Sequence, residues 1–154
     1  MVKSFQGVKV ETQEVSEIMP VSVSDYMSTK LTTFHPNQSI FDVVDTLLKR
    51  KISGAPVIND RKELVGIISE GDCLKEVVKG KYNNYPRLHG LVKDHMATNI
   101  KYISPEVNIF EAAHMFLNLR IRRFPVLDHN MKLVGMISQK DIMRAVLSLN
   151  TERW

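Results

Sequence analysis

The chain repeats itself once, without a gap, at an offset of 69 residues. Val23-Ser24-Asp25-Tyr26-Met27 returns as Val92-Lys93-Asp94-His95-Met96, and Ile40-Phe41-Asp42 returns as Ile109-Phe110-Glu111. Leu64-Val65-Gly66-Ile67-Ile68-Ser69-Glu70-Gly71-Asp72 returns as Leu133-Val134-Gly135-Met136-Ile137-Ser138-Gln139-Lys140-Asp141. Of the 56 aligned positions, 23–78 against 92–147, 18 are identical, and 11 others exchange one apolar residue for another. Two copies of one supersecondary unit are expected to pack together, because neither buries its apolar face well alone. Such a pair makes two related clefts between the copies, and function is expected there.

The repeat divides the chain into an extension over 1–22, a first copy over 23–78, a linker over 79–91, a second copy over 92–149 and a tail over 150–154. Each copy reads as strand, helix, strand, strand, helix, a mixed α+β, α/β-like unit. Leu31-Thr32-Thr33-Phe34 is a short β-branched and aromatic run stopped by His35-Pro36. Ser39 then offers an N-cap, and Ile40, Val43, Val44, Leu47 and Leu48 follow helical spacing. In the second copy Asn108 is the cap, with Ile109, Ala112, Ala113, Phe116 and Leu117 as the stripe. This helix is expected to end near Lys51. Pro56-Val57-Ile58 opens a strand that closes in the polar turn Asn59-Asp60-Arg61-Lys62. Leu64 to Ile68 is a continuous apolar run, as expected of a strand covered on both faces. Ser69 caps a last helix carrying Leu74, Val77 and Val78, matched by Met143, Val146 and Leu147. The linker, with Gly80, Asn83, Asn84, Pro86 and Gly90, has loop composition; its Tyr82 and Tyr85 could cover a cleft or pack locally.

At 154 residues and 44% hydrophobic, the chain has enough apolar material for one good core or two small fused ones. No apolar stretch approaches the ~20 residues of a membrane span, and Met1 to Val10 lacks the apolar centre of a secretory signal. The single cysteine, Cys73, cannot form an internal disulfide, which fits a reducing, cytoplasmic setting. The formal charge of +4 is modest, and the 21 basic side chains are scattered among 17 acids rather than gathered in a stripe. The five histidines show no metal-ligand spacing. His114 reads as packing or surface, and Cys73 as a small buried hydrophobe, its counterpart being Ile142. Met27, Met96, Met115, Met136 and Met143 read as core. No Ser/His/Asp arrangement, carboxylate pair or Walker-type loop appears, so a non-enzyme is expected.

Gly-apolar-apolar-Ser-x-x-Asp, at Gly66–Asp72 and Gly135–Asp141, resembles the hallmark of CBS domains. So does an apolar helix followed by x-Pro-Val, at Pro56-Val57 and Pro125-Val126. Two such units in tandem resemble a stand-alone Bateman module, over about residues 22–149. The resemblance implies two β-α-β-β-α repeats related by pseudo-two-fold symmetry, often dimerising into a flat disc. It also implies a sensor for adenine nucleotides or other adenosyl compounds: AMP, ADP, ATP, NAD or S-adenosylmethionine, none of which the residues single out.

Ser69-x-x-Asp72 also has the spacing of a capping box, which the chain uses at Ser39-x-x-Asp42 and Ser22-x-x-Asp25, where no ligand is expected. Its recurrence after Leu-Val-Gly in both copies favours a ligand role. A helix N-terminus suits phosphate or ribose oxygens, an Asp there can accept from a ribose diol, and the glycine permits close approach. The copies differ where a phosphate would lie: Arg122-Arg123-Phe124 precedes Pro125, but Ser53-Gly54-Ala55 precedes Pro56. In similar modules a basic residue at this step reaches the phosphates, while small residues of the opposite half wall the adenine. Arginine suits phosphate because it binds bidentately, although the pair could also decorate a strand entrance beside Arg120.

The first cleft therefore combines Ser138, Asp141, Arg122, Arg123 and Phe124 with Thr32, Ile52, Ser53, Gly54 and Ala55. The second combines Ser69 and Asp72 with Lys101, Ile121 and Arg122, and is expected to be weaker or empty. A regulatory ligand-binding module, homodimeric and read by a partner protein, is the leading reading. A ligand-free dimerisation adaptor is the alternative. A nucleic-acid binder, suggested by a pI near 9.2 and the Arg120–Arg123 cluster, ranks lower, and an enzyme lower still.

Overall fold

A computed structural model describes residues 21–80 and 88–151. Most of the expected extension, together with Tyr82 and Tyr85, lies outside the described residues. In chain order the elements are α1 (Val23–Tyr26), α2 (Ile40–Arg50), β1 (Gly54–Ile58), β2 (Leu64–Ser69), α3 (Glu70–Gly80), α4 (Val92–His95), α5 (Ile109–Leu119), β3 (Arg123–Leu127), β4 (Leu133–Ser138) and α6 (Gln139–Thr151).

Each copy centres on an antiparallel hairpin, β1–β2 or β3–β4. The registers match: Val57 lies opposite Gly66, Val126 opposite Gly135, and each hairpin bulges one step later. The expected opening strand is shorter than the sequence suggested. Of Leu31–Phe34, only Phe34 pairs, as a single parallel bridge to Val57, and Ile103 bridges Val126 in the second copy. Phe34 donates to the Pro56 carbonyl and its own carbonyl accepts from Ile58; the ladder then stops at His35-Pro36, where proline has no N–H to donate.

The helices start where the caps predict. Ser39 Oγ accepts from the Asp42 amide at 3.1 Å, and Asn108 Oδ1 from the Phe110 amide at 2.8 Å. Ser22 and Asp25 likewise cap α1, with the Ser22 amide 3.2 Å from Asp25 Oδ2. Both α2 and α5 end on a left-handed residue, Lys51 and Arg120, each at φ 56°.

The copies are tied together by exchange. The Ser28 amide donates to the Met136 carbonyl at 2.8 Å and the Met136 amide returns to Ser28 at 3.0 Å. Ala97 and Ile67 make the same reciprocal pair. Val23 donates to Val107, and Val92 to Gln38. Each of these bonds maps onto its mate when the copies are interchanged, so the two halves are related by a pseudo-two-fold axis.

The consequence is visible in the cores. Val23 is buried with Ile109, Phe116, Phe124 and Ile137 of the second copy, whereas Val92 is buried with Ile40, Val43, Val57 and Ile68 of the first. Each copy's opening segment thus completes the other's core. Burying each large aliphatic or aromatic side chain contributes about 1.5–3 kcal/mol, so neither half keeps a full core without its neighbour. The Phe116 and Phe124 rings pack tilted, with centroids 4.7 Å apart.

Part of the expected apolar stripe does not enter a core. Leu48 and Leu117 are 72% and 74% exposed, and Leu74 and Met143 are 61% and 63% exposed; Val77, Val78 and Leu147 are exposed as well. Helical spacing groups residues around more than one face, and these lie on the outer face of α2–α3 and α5–α6. Cys73 is buried, as expected of a small hydrophobe.

Candidate functional site

A cavity of about 310 Å³ opens between the two copies and brings together residues from both. The first copy contributes Thr32, Ile52 and Gly54; the second contributes Arg123, Ser138 and Asp141. The sequence reading missed six further lining residues: Ser28, Lys30, Leu31, Pro56, Met136 and Ile137.

The secondary structure explains this convergence. Arg123 opens β3 and lies directly opposite Ser138, the last residue of β4. Cross-strand partners present their side chains to the same face, so Arg123 and Ser138 share the cavity. Asp141 follows on the first turn of α6. From the other side, Ser28 is held by its two bonds to Met136, and Phe34 by its bridge to Val57. The segment Lys30–Thr32 runs between these two anchors, and all three of its residues line the cavity.

Not every expected residue reaches the site. Phe124 and Ala55 point into the cores, since strand neighbours alternate between faces. The two arginines also part: Arg123, on β3, lines the cavity, whereas Arg122 precedes the strand, is exposed and does not. Ser53 is exposed and off the wall; its carbonyl accepts from the Glu70 amide at 2.9 Å.

The carboxylate of Asp141 is already engaged. Its Oδ2 accepts from the Ser138 amide at 2.8 Å, and Ser138 Oγ accepts from the Asp141 amide at 3.1 Å, a completed capping box. Its Oδ1 lies 3.2 Å from Arg144 Nη1. The Gln139 amide donates to the Arg122 carbonyl. The Ser138, Gln139 and Asp141 amides at the β4–α6 junction are therefore satisfied internally. Across the cavity, Thr32 Oγ1 accepts from Arg50 Nη1 at 3.1 Å.

The glycines do a different job from the one expected. A β-carbon on Gly135 would lie 2.5 Å from Met27 Sδ and 3.0 Å from the Ser28 carbonyl, and one on Gly66 would collide with Met96. Both admit a methionine of the other copy rather than a ligand. Gly54 lines the cavity, but its β-carbon would lie 2.9 Å from the Ile68 carbonyl, so its own strand also requires it.

In the second cleft, Asp72 Oδ2 accepts from both the amide and the hydroxyl of Ser69, at 2.9 and 3.0 Å. Ser69, Asp72, Lys101 and Ile121 line neither the interface cavity nor the two apolar grooves on the outer helical faces. Among the described residues no group of three or more His, Cys, Asp or Glu could hold a metal ion, and no helix is long and apolar enough to cross a membrane. His114 lies exposed on α5.

A family model for the CBS domain matches residues 23–79 and again 92–148. The chain belongs to the CBS domain family. It carries two CBS domains in tandem, as a Bateman module does. Among curated proteins it is 28% identical to the CBS domain-containing protein CBSX2 of Arabidopsis thaliana, a chloroplastic protein, over 85% of this chain and 66% of that one. The crystal structure of CBSX2 in complex with AMP matches with a TM-score of 0.71 at 30% identity, covering 84% of this chain and 98% of that chain. The CBS domain pair of protein MJ0100, in complex with 5′-methylthioadenosine and S-adenosyl-L-methionine, matches with a TM-score of 0.65 at 25% identity, covering 84% and 99%.

Proposed function

We propose that this CBS pair is a regulatory sensor that binds an adenine nucleotide or another adenosyl compound in the cavity between its copies. The observation that carries the reading is the composition of that cavity: Arg123, Ser138 and Asp141 from one copy face Thr32, Ile52 and Gly54 from the other. A cavity near 300 Å³ lined by both polar and apolar residues is of the size that takes a small ligand. Relatives solved with AMP, and with S-adenosyl-L-methionine and 5′-methylthioadenosine, support the adenosyl class. A compound touching both copies changes their relative geometry only in so far as it binds one arrangement better than another. The protein itself performs no chemistry in this reading, and a partner protein reads its state.

A homodimer is part of the proposal. Leu48, Leu74 and Val77 border an apolar groove of about 470 Å³ on the first copy, and Leu117 and Met143 border one of about 190 Å³ at the equivalent place on the second. Exposed apolar surface at matching places in both copies is the pattern of an interaction face. Sedimentation that shows a dimer, converted to monomer by Leu74→Glu with Met143→Glu, supports it; a monomeric native chain overturns it. The cytoplasm is the proposed compartment, on the strength of the single unpaired cysteine.

The test of the sensor is a thermal-shift series with AMP, ADP, ATP, NAD and S-adenosylmethionine. A rise with an adenosyl compound that disappears in Asp141→Ala supports it. No rise with any of them turns the reading to a ligand-free adaptor.

A further inference from the structure

We infer that Lys30 and Arg123 form a two-sided anion clamp that makes this cavity select adenosine polyphosphates over S-adenosylmethionine. The inference rests on the adenosyl reading of the cavity and adds a residue, Lys30, and a charge rule to it. Lys30 comes from the first copy and Arg123 from the second, and both line the same 310 Å³ space. Asp141 is the carboxylate on that wall, and its Oδ1 is paired with Arg144 at 3.2 Å. The lining is therefore net cationic, and Arg50, bonded to Thr32, adds a further positive charge beside it.

Neither cation sits there by chance of a loose loop. Lys30 lies between two anchored residues, Ser28 on Met136 and Phe34 on Val57. Arg123 is set by its pairing with Ser138. The positions equivalent by the repeat are Asn99 and Gly54, so the second cleft has no such pair. A chain of phosphates carries negative charge that two cations lining one cavity attract, and each added phosphate increases that attraction. The sulfonium of S-adenosylmethionine brings positive charge to the same place and is repelled. Because Lys30 is exposed, its contribution is screened by salt and is largest at low ionic strength.

The experiment is a calorimetric titration of the full chain at low ionic strength with adenosine, AMP, ADP, ATP and S-adenosylmethionine, repeated for Lys30→Gln and Lys30→Arg. ATP is expected to bind more tightly than adenosine by about tenfold or more. Lys30→Gln is expected to weaken ATP roughly tenfold and adenosine less than about twofold, and Lys30→Arg to restore most of the loss. An equal loss for adenosine and ATP, no loss for either, or S-adenosylmethionine binding more tightly than ATP overturns the clamp. Loss of all binding in Asp141→Ala, with Lys30→Gln silent, removes the clamp and leaves the adenosyl site standing. If no adenosyl compound binds the native chain, the site itself falls and the clamp with it.

Discussion

Met27 Sδ lies over Gly135, a residue of the other copy, so close that a β-carbon there would be 2.5 Å from the sulfur; Met96 meets Gly66 in the reciprocal place. The contact sits beside the Ser28–Met136 exchange, and both of those residues line the interface cavity. Gly135→Ala is expected to cost about 1–3 kcal/mol, because the new methyl also meets the rigid Ser28 carbonyl at 3.0 Å. Gly66→Ala is expected to cost a similar amount while leaving this cavity's wall in place. Urea unfolding gives the two costs, and ligand titration separates the variants: only Gly135→Ala is expected to weaken binding.

Lys51 and Arg120 end their helices at φ 56°, where a side chain is strained and glycine is not. Lys51→Gly and Arg120→Gly are each expected to raise stability, by up to about 1 kcal/mol after the extra flexibility of the unfolded chain is subtracted. Equal or lower melting temperatures for both variants contradict this.

His95 Nε2 lies 2.8 Å from Glu76 Oε2, with both side chains largely shielded, 11% and 13% exposed. The repeat places Tyr26 and Ala145 at the equivalent positions, where Ala145 is fully buried. Removing one member of a shielded polar pair costs about 1–3 kcal/mol, whereas replacing both by a packed apolar pair can be neutral. Glu76→Ala alone is therefore expected to lower stability more than Glu76→Ala combined with His95→Tyr. A double variant no better than the single one breaks the argument.

Burial, with Asp72 and Glu70 nearby, pushes the Cys73 thiol above its ordinary pKa. A raised pKa means less thiolate at neutral pH, and the thiolate is the reactive form. Native protein is expected to react with a thiol reagent far more slowly than unfolded protein, with the rate rising only at higher pH than for a free thiol. Fast native labelling at neutral pH runs against this.

The repeat made the hairpins, the caps and the two-fold relation legible, since each appears twice with the same spacing. The exchange of opening segments was not legible: Val23 and Val92 have the same apolar pattern whichever core they enter. Nor could spacing tell the buried Leu47 from the outer-face Leu48, because both fall within one helical stripe. Alternation back from the core residue Phe124 could have placed Arg123 on the opposite face in advance. Lys30 carried no such signal, being a lone lysine in a stretch whose path is set by anchors distant in sequence.

The most direct test of the account is the affinity of the native chain for ATP, measured beside Asp141→Ala and Arg123→Gln. Saturable one-site binding that both substitutions weaken by about tenfold or more is the predicted result. Binding that both variants retain unchanged would contradict the assignment of this cavity.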